Sequence, residues 1–267
     1  MIKIQKHGAL LSTDKDGYLI PDVSLDKIVP PWDEAVNFIK EAYIKHLGER
    51  LHSVYLRGSI ARGLAVEGIS DLDSFAILRG NPPKKKNELD WTKKVSDQYM
   101  KHFPFSARPE IWFNREEPFC KNLEEKWWLK LGAVCIHGEN LIPRIPSVKL
   151  ETIAANLKFQ SDYISEIVSY FHEGIKDAEP KQAKAYCTWI CKRFLRAGMA
   201  LVVSRAKVFS RDLYYCYELF AKFYPQEEAT MQQALEYALN PTESKEILLP
   251  FVKRLSEFLS KEVDVDH

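Results

Sequence analysis

The stretch 51–80 constrains the fold of this chain more than any other part of the sequence. Residues 53–56 are apolar and β-prone, and this run stops at Gly58 and Ser59. Ser59 is predicted to be the N-cap of a short helix that begins there. A second apolar run over 74–78 is typical of another strand. The pattern therefore predicts a strand, a tight turn, a short helix and a second strand.

Two aspartates, Asp71 and Asp73, open the second predicted strand. Because side chains alternate along a strand, residues two apart send their carboxylates to the same face. Gly58 lets a phosphate approach closely, and the backbone N–H groups at the helix start suit an anion. Two carboxylates beside such a turn can bind Mg²⁺ in complex with a nucleotide. The sequence therefore predicts a magnesium and nucleotide site here, with Ser59 at its turn.

This arrangement resembles the nucleotidyltransferase superfamily of the DNA polymerase β type. The motif of that family is Gly-Ser, then Asp-x-Asp, with a third carboxylate on a later strand. It reads here as Gly58-Ser59, followed by Ser70 directly before Asp71 and Asp73. The resemblance implies that the glycine and both serines contact the nucleotide, ATP or another NTP. It also implies two Mg²⁺ ions held by the carboxylates.

Glu110 is the predicted third carboxylate and third metal ligand. It opens an apolar strand predicted over 108–113, one helix after the Asp-x-Asp strand. Glu116 and Glu117 are the alternative candidates for the third carboxylate, although the proline that follows them predicts a loop or a helix start. In the mechanism that the resemblance implies, Glu110 serves as metal ligand, as general base, or as both.

Arg62 lies on the face of the short helix that follows the turn. Two roles are left open for it with equal weight. It neutralises phosphate charge as part of the nucleotide site, or it forms a salt bridge with Glu67 or another nearby acid.

The chain is predicted to contain two domains, 1–146 and 147–267, because prolines near 143–146 mark a change of pattern. The first is an α+β nucleotidyltransferase domain with a small mixed sheet flanked by helices. It starts with a hairpin over 1–20 and ends with a strand over 133–138. The second is an all-α bundle, with breaks at Gly174 and three prolines. Helical patterns cover 32–47, 89–102, 116–131, 149–173, 181–205, 210–223, 227–239 and 242–260.

The helical domain is similar to the C-terminal domain of bacterial aminoglycoside adenylyltransferases. In that group an arginine on one helix and a basic residue at the start of the next reach the triphosphate across the interdomain cleft. The matching positions here are Arg196 and Arg211, with Ser210 as the N-cap of the second helix. The alternative, that both are surface arginines with packed stems, has equal weight. Lysines, rather than clustered carboxylates, occupy the corresponding region, which disfavours a polycationic substrate: Lys176, Lys181, Lys184 and Lys192.

The composition bounds the remaining properties. An apolar content of 46% and a charged content of 28% are typical of a soluble globular protein. No apolar run is long enough to span a bilayer, and the N-terminal residues lack a secretory signal pattern, so a cytoplasmic location is expected. A net charge of +1 does not favour long nucleic acid as a partner. The sequence contains no indication of oligomeric state.

These observations together predict a Mg²⁺-dependent nucleotidyltransferase. The first choice is transfer of AMP from ATP to the hydroxyl of a small molecule, with antibiotics, and hence antibiotic resistance, among the candidates. A second hypothesis is transfer to a protein or an RNA end, as in minimal toxin–antitoxin nucleotidyltransferases. A third is a non-catalytic module that binds nucleotide on the same fold.

Overall fold

The chain forms two compact units. One is Ile20–Ser147, and the other combines Met1–Leu19 with Val148–His267. The domain boundary predicted between residues 146 and 147 stays a prediction. The computed structural model describes the following residues: 2–80, 86–115, 123–157 and 161–265.

The first unit is built on a four-stranded sheet with strand order β3-β2-β1-β4. The strands are β1 (Leu51–Arg57), β2 (Asp73–Leu78), β3 (Glu110–Arg115) and β4 (Ala133–Gly138). β1 is antiparallel to both β2 and β4, whereas β2 and β3 are parallel. This mixed sheet with flanking helices, together with a helical C-terminal region, confirms the predicted fold class.

Helices pack on both faces of the sheet. The helices of this unit are α1 (Trp32–Leu47), α2 (Gly58–Ala61), α3 (Lys86–His102) and α4 (Leu123–Gly132). α1 has the predicted bounds, and its apolar residues at helical spacing are buried against the sheet together with those of α3. The predicted helix over 116–131 is described only from α4 onward, and 116–122 lie outside the described residues.

The opposite face of the sheet has a smaller apolar core. Tyr55 of β1 stacks on Phe75 of β2, with 5.2 Å between the ring centroids. Both rings are buried with Ile77 and with Leu129 of α4. Charged side chains lie at the far end of this face, where β1 ends and β2 and β3 begin. This end forms the candidate site.

The second unit is helical, as predicted. Its helices are α5 (Leu150–Leu157), α6 (Ser161–Lys176), α7 (Pro180–Ala206), α8 (Leu213–Phe223), α9 (Glu228–Leu239) and α10 (Lys245–Val265). The predicted break at Gly174 is wrong, because α6 continues through it. A Cβ at Gly174 would lie 2.2 Å from the ring of Tyr186 on α7, so this glycine serves close helix packing. Among the described residues, no helix combines the length and apolarity needed to cross a membrane.

The N-terminal segment packs on the helical unit. The N–H of Leu11 donates to the carbonyl of Phe209 at 2.8 Å, and the N–H of Ala9 donates to the Asp212 carboxylate at 2.7 Å. The turn of the predicted hairpin is present, since Thr13 bridges Leu19. The residues before this turn, however, bond to the segment that leads into α8.

Candidate metal and nucleotide site

Cross-strand register brings three charged side chains into one row. Arg57 ends β1 opposite Asp73, which begins β2. Asp73 in turn lies opposite Glu110, the first residue of β3. Neighbouring residues in register project from the same face of a sheet, so the row lies on a single face.

The three predicted acids form one cluster. Carboxylate oxygens of Asp71, Asp73 and Glu110 all lie within 4.8 Å of one another. Strand β2 begins at Asp73, so Asp71 reaches the cluster from the segment just before the strand. Oxygen donors at such spacing are the ligands that Mg²⁺ prefers. The residues present therefore fit a divalent metal ion.

The pKa of Asp73 is raised by burial and by the neighbouring acids. Burial, followed by the nearby charge of Asp71, raises the pKa of Asp73 from 3.8 to about 7. Arg57 acts in the opposite direction, and Glu110 adds to the rise. Without a metal, the cluster therefore retains a proton near neutral pH. A bound cation would favour the ionised form and release that proton.

Two residues next to the cluster were missed by the sequence analysis. The Arg57 guanidinium lies 3.6 Å from Oε2 of Glu110, and the Trp112 indole N–H donates to the same oxygen at 3.1 Å. Strand alternation could have identified Trp112, because it lies two residues after Glu110. Arg57 could not be found in this way, since its position depends on the pairing of β1 with β2.

Gly58 is required at its position for two reasons. Its φ is +79°, and a Cβ there would lie 2.5 Å from Oδ2 of Asp73. A side chain would therefore strain the backbone and displace the Asp73 carboxylate. The sequence predicted close approach of a phosphate at this glycine. The observed neighbour is the carboxylate of Asp73, and the phosphate contact stays a prediction.

Ser59 and Ser70 close the loop between α2 and β2. The predicted N-cap role of Ser59 is wrong, because α2 already begins at Gly58. The Ser59 hydroxyl instead donates to the hydroxyl of Ser70 at 3.1 Å, and Ser70 also accepts the N–H of Val66 at 2.9 Å. These bonds hold Asp71 close to the turn. Nucleotide binding by the two serines stays a prediction.

Arg62 forms an ion pair. Its Nε and one terminal nitrogen donate to the same oxygen of Asp22, at 3.2 and 3.0 Å. Of the two roles left open, the salt bridge is observed, with Asp22 as partner rather than Glu67. A contact between Arg62 and a phosphate stays a prediction.

Arg196 and Arg211 lie in the helical unit. Arg196 is on α7, and Arg211 directly precedes Asp212, the residue that occupies the N-cap position predicted for Ser210. Burial raises the pKa of Cys216 to about 12, and both arginines oppose that rise. The two cations are thus grouped around the start of α8. Their predicted contact with a triphosphate stays a prediction.

Comparisons with known proteins show a likeness at the level of fold. No protein-family model matches the chain, and no curated protein matches it by sequence. The structure is similar to that of spectinomycin adenyltransferase AAD(9) from Enterococcus faecialis, solved with ATP and spectinomycin. The TM-score is 0.51 and the identity 14%, over 87% of this chain and 99% of the other. The chain therefore has a nucleotidyltransferase-like fold with a helical C-terminal region.

Proposed function

We propose that this protein is a Mg²⁺-dependent nucleotidyltransferase that moves a nucleoside monophosphate, with AMP from ATP as first choice, to the hydroxyl of a small molecule. The observation that carries the proposal is the cluster of Asp71, Asp73 and Glu110. The shared fold with an adenyltransferase solved with ATP supports it.

The residues have distinct proposed roles. Asp71, Asp73 and Glu110 would hold Mg²⁺, which when bound offsets the charge of the triphosphate and acidifies the acceptor hydroxyl. Gly58 and Ser59 would position the β- and γ-phosphates. The remaining nucleotide contacts are proposed from the resemblance alone: Ser70, Arg62, Arg196 and Arg211.

The bond changes of the proposed transfer are simple. The acceptor oxygen forms a bond to the α-phosphorus, and the bond from that phosphorus to the pyrophosphate oxygen breaks. Glu110 is the proposed acceptor of the hydroxyl proton. The contacts of its carboxylate with Arg57 and Trp112, beside the cluster, support this role. Pyrophosphate is the second product.

Replacing Asp73 by Asn tests the proposal. We expect Mn²⁺ binding and ATP binding with Mg²⁺ to weaken, and pyrophosphate release to fall by on the order of 10²-fold or more. Calorimetry and a coupled pyrophosphate assay with a mixed panel of small hydroxyl compounds measure these effects. Glu67→Gln is the matched control, because it removes an exposed carboxylate of the same unit.

The other hypotheses predict different outcomes of this test. Metal-dependent ATP binding without turnover on any acceptor would favour a non-catalytic nucleotide-binding module. Labelling of a protein or of an RNA end by ATP, but of no small molecule, would favour a macromolecular acceptor. If the unmutated protein binds no ATP in the presence of Mg²⁺, the proposed function is wrong.

A further inference from the structure

The ladder between β2 and β3 does not by itself fix two of the three acids. Asp71 lies before the first residue of β2, and Glu110 begins β3, an outer strand of the described sheet. Two backbone bonds join the segments that carry these acids. The carbonyl of Ser70 accepts the N–H of Ala107 at 2.9 Å, and the carbonyl of Leu72 accepts the N–H of Glu110 at the same distance. The separation of Asp71 from Glu110 therefore depends on how firmly these two segments are held together.

A buried pair of hydroxyl groups supports the segment of Asp71. The hydroxyl of Tyr99, on α3, donates to the hydroxyl of Ser106 at 2.8 Å. The Ser106 hydroxyl lies 2.9 Å from the carbonyl of Ala107 and 3.4 Å from the carbonyl of Ser70, so it can donate to either. Tyr99 is fully buried, and Ser106 is 3% exposed. This Tyr99–Ser106 pair therefore fixes the peptide groups that join the two segments.

A second pair of the same kind supports Glu110. The Ser74 hydroxyl donates to the carbonyl of Glu110 at 2.8 Å. The hydroxyl of Tyr43, on α1, lies 3.1 Å from the Ser74 oxygen and 3.3 Å from the carbonyl of Trp112, so it can donate to either. Both side chains of this Tyr43–Ser74 pair are buried. Because Ser74 follows Asp73 in β2, its hydroxyl lies on the opposite face of the sheet from the carboxylates.

We propose that the Tyr99–Ser106 and Tyr43–Ser74 pairs are positioning residues that set the spacing of the carboxylates for a divalent metal ion. This inference rests on the metal site of the proposed function. Each pair acts from the helix-covered face through a backbone carbonyl next to an acid or belonging to it. A buried hydroxyl that loses its partner is costly, so each tyrosine favours one position of its serine and of the backbone beyond it.

The variants Tyr99→Phe and Tyr43→Phe test the proposal, since each removes one hydroxyl and keeps the ring. Mn²⁺ binding to the full chain is measured by calorimetry without nucleotide. We expect the Mn²⁺ dissociation constant to rise by about 3–10-fold in each variant, less than the roughly 10–100-fold that is typical when a group bonded directly to a metal ligand is lost.

Tyr55→Phe is the matched control. The ring of Tyr55 is fully buried in the same unit, and its hydroxyl accepts the N–H of Leu141 at 2.8 Å and donates to the carbonyl of Glu139 at 3.3 Å. These partners follow β4 and lie outside the segments that carry the acids. Thermal melts should show lower stability in all three variants, whereas only Tyr99→Phe and Tyr43→Phe should bind Mn²⁺ more weakly.

Two further measurements separate positioning from a general loss of stability. Ser106→Ala should weaken Mn²⁺ binding, and the double variant with Tyr99→Phe should bind no more weakly than Ser106→Ala alone, because the tyrosine acts through the serine. In the pyrophosphate assay, Tyr99→Phe should require more Mg²⁺ for half-maximal rate and recover its kcat at saturating Mg²⁺.

The outcomes distinguish this inference from the proposed function. If Tyr99→Phe and Tyr43→Phe bind Mn²⁺ as tightly as the unmutated chain, or if Tyr55→Phe loses as much affinity as they do, the positioning role is wrong. The proposed function then stands, provided that the unmutated chain binds Mn²⁺ and ATP with Mg²⁺. An unmutated chain that binds neither would overturn the proposed function and this inference together.

Discussion

At the scale of single residues, Gly58 links the backbone to the cluster of carboxylates. Gly58→Ala should cost about 1–2 kcal/mol of stability, because alanine disfavours a φ of +79°. It should also weaken Mn²⁺ binding, since its Cβ would lie 2.5 Å from Oδ2 of Asp73. Gly68→Ala is the matched control, with a φ of +78° and nothing within 4 Å of its Cβ. Urea unfolding and Mn²⁺ titration should show a similar stability loss in both variants and weaker metal binding only in Gly58→Ala.

Asp73 predicts a pH dependence for the metal-free protein. Its pKa is raised from 3.8 to about 7, mainly by burial, so the folded state holds a proton that the unfolded chain has lost. The unfolding free energy should therefore fall as pH rises from about 4 to about 7 and then level off. The drop is a few kcal/mol at most, because one pKa unit corresponds to about 1.4 kcal/mol.

Asp73→Asn should remove most of this slope. Urea unfolding in the presence of EDTA, measured from pH 4 to pH 8, compares the variant with the unmutated protein. The variant should be the more stable of the two at pH 8, where the unmutated cluster carries its full negative charge. Parallel profiles for the two proteins would contradict the assignment of the raised pKa to Asp73.

At the scale of elements, the sequence predicted the features that depend on residues close together along the chain. The bounds of α1 and β4 match the prediction, because apolar periodicity and a short apolar run between breakers determine them. The three acids were also identified, since Asp-x-Asp and a strand that opens with Glu110 are visible in the sequence. Arg57 was not, because its place beside Glu110 depends on register between strands that are distant in sequence.

Glycines inside helices show more clearly where prediction from the local sequence fails. Gly174 was expected to end a helix, but it lies within α6 and allows close packing against α7. Gly198 of α7 has a similar role, since a Cβ there would lie 2.8 Å from Met231 and 2.9 Å from Phe220. The local sequence cannot distinguish a glycine that ends a helix from one that allows close helix packing, because the difference depends on the neighbouring helix.

Gly198→Ala should destabilise the helical unit by about 1–3 kcal/mol, because the buried ring of Phe220 has little room to move. Phe220→Leu in the same chain should make part of that loss non-additive, which a double-mutant cycle measures. Gly132→Ala is the control for helix propensity. It ends α4 with nothing within 4 Å of its Cβ, so it should be neutral or stabilise by up to about 1 kcal/mol.

At the scale of the whole molecule, the two units do not follow the order of the chain. The segment before Leu19 belongs with the helices that begin after Val148. Its anchors are a backbone pair between Leu11 and Phe209 and the bond from Ala9 to Asp212. The sequence predicted a hairpin over 1–20, of which the turn bridged by Thr13 and Leu19 is observed. It did not predict the pairing with the helical unit, because those partners lie some two hundred residues later. Such long-range pairing leaves no periodic signal in the segment itself.

The anchor at Asp212 can be tested in the full chain. Its carboxylate accepts the N–H of Ala9 at 2.7 Å, while the Ser210 hydroxyl donates to the carbonyl of Ala9 at 2.8 Å. Asp212→Ala should destabilise the helical unit by about 1.5–3 kcal/mol, because it removes a hydrogen bond to a charged acceptor. Asp212→Asn keeps an acceptor at the same position and should lose less.

Proteolysis gives the readout that is specific to the N-terminal segment. Trypsin should cut after Lys3 and Lys6 faster in Asp212→Ala than in Asp212→Asn, because local opening of the segment exposes these bonds. Cleavage at sites in the sheet-containing unit should keep the same rate in both variants, since the segment packs on the helical unit. Equal cutting of the segment in the two variants would show that Asp212 does not anchor it. Faster cutting throughout the chain would instead mean that the first nineteen residues support the fold of both units.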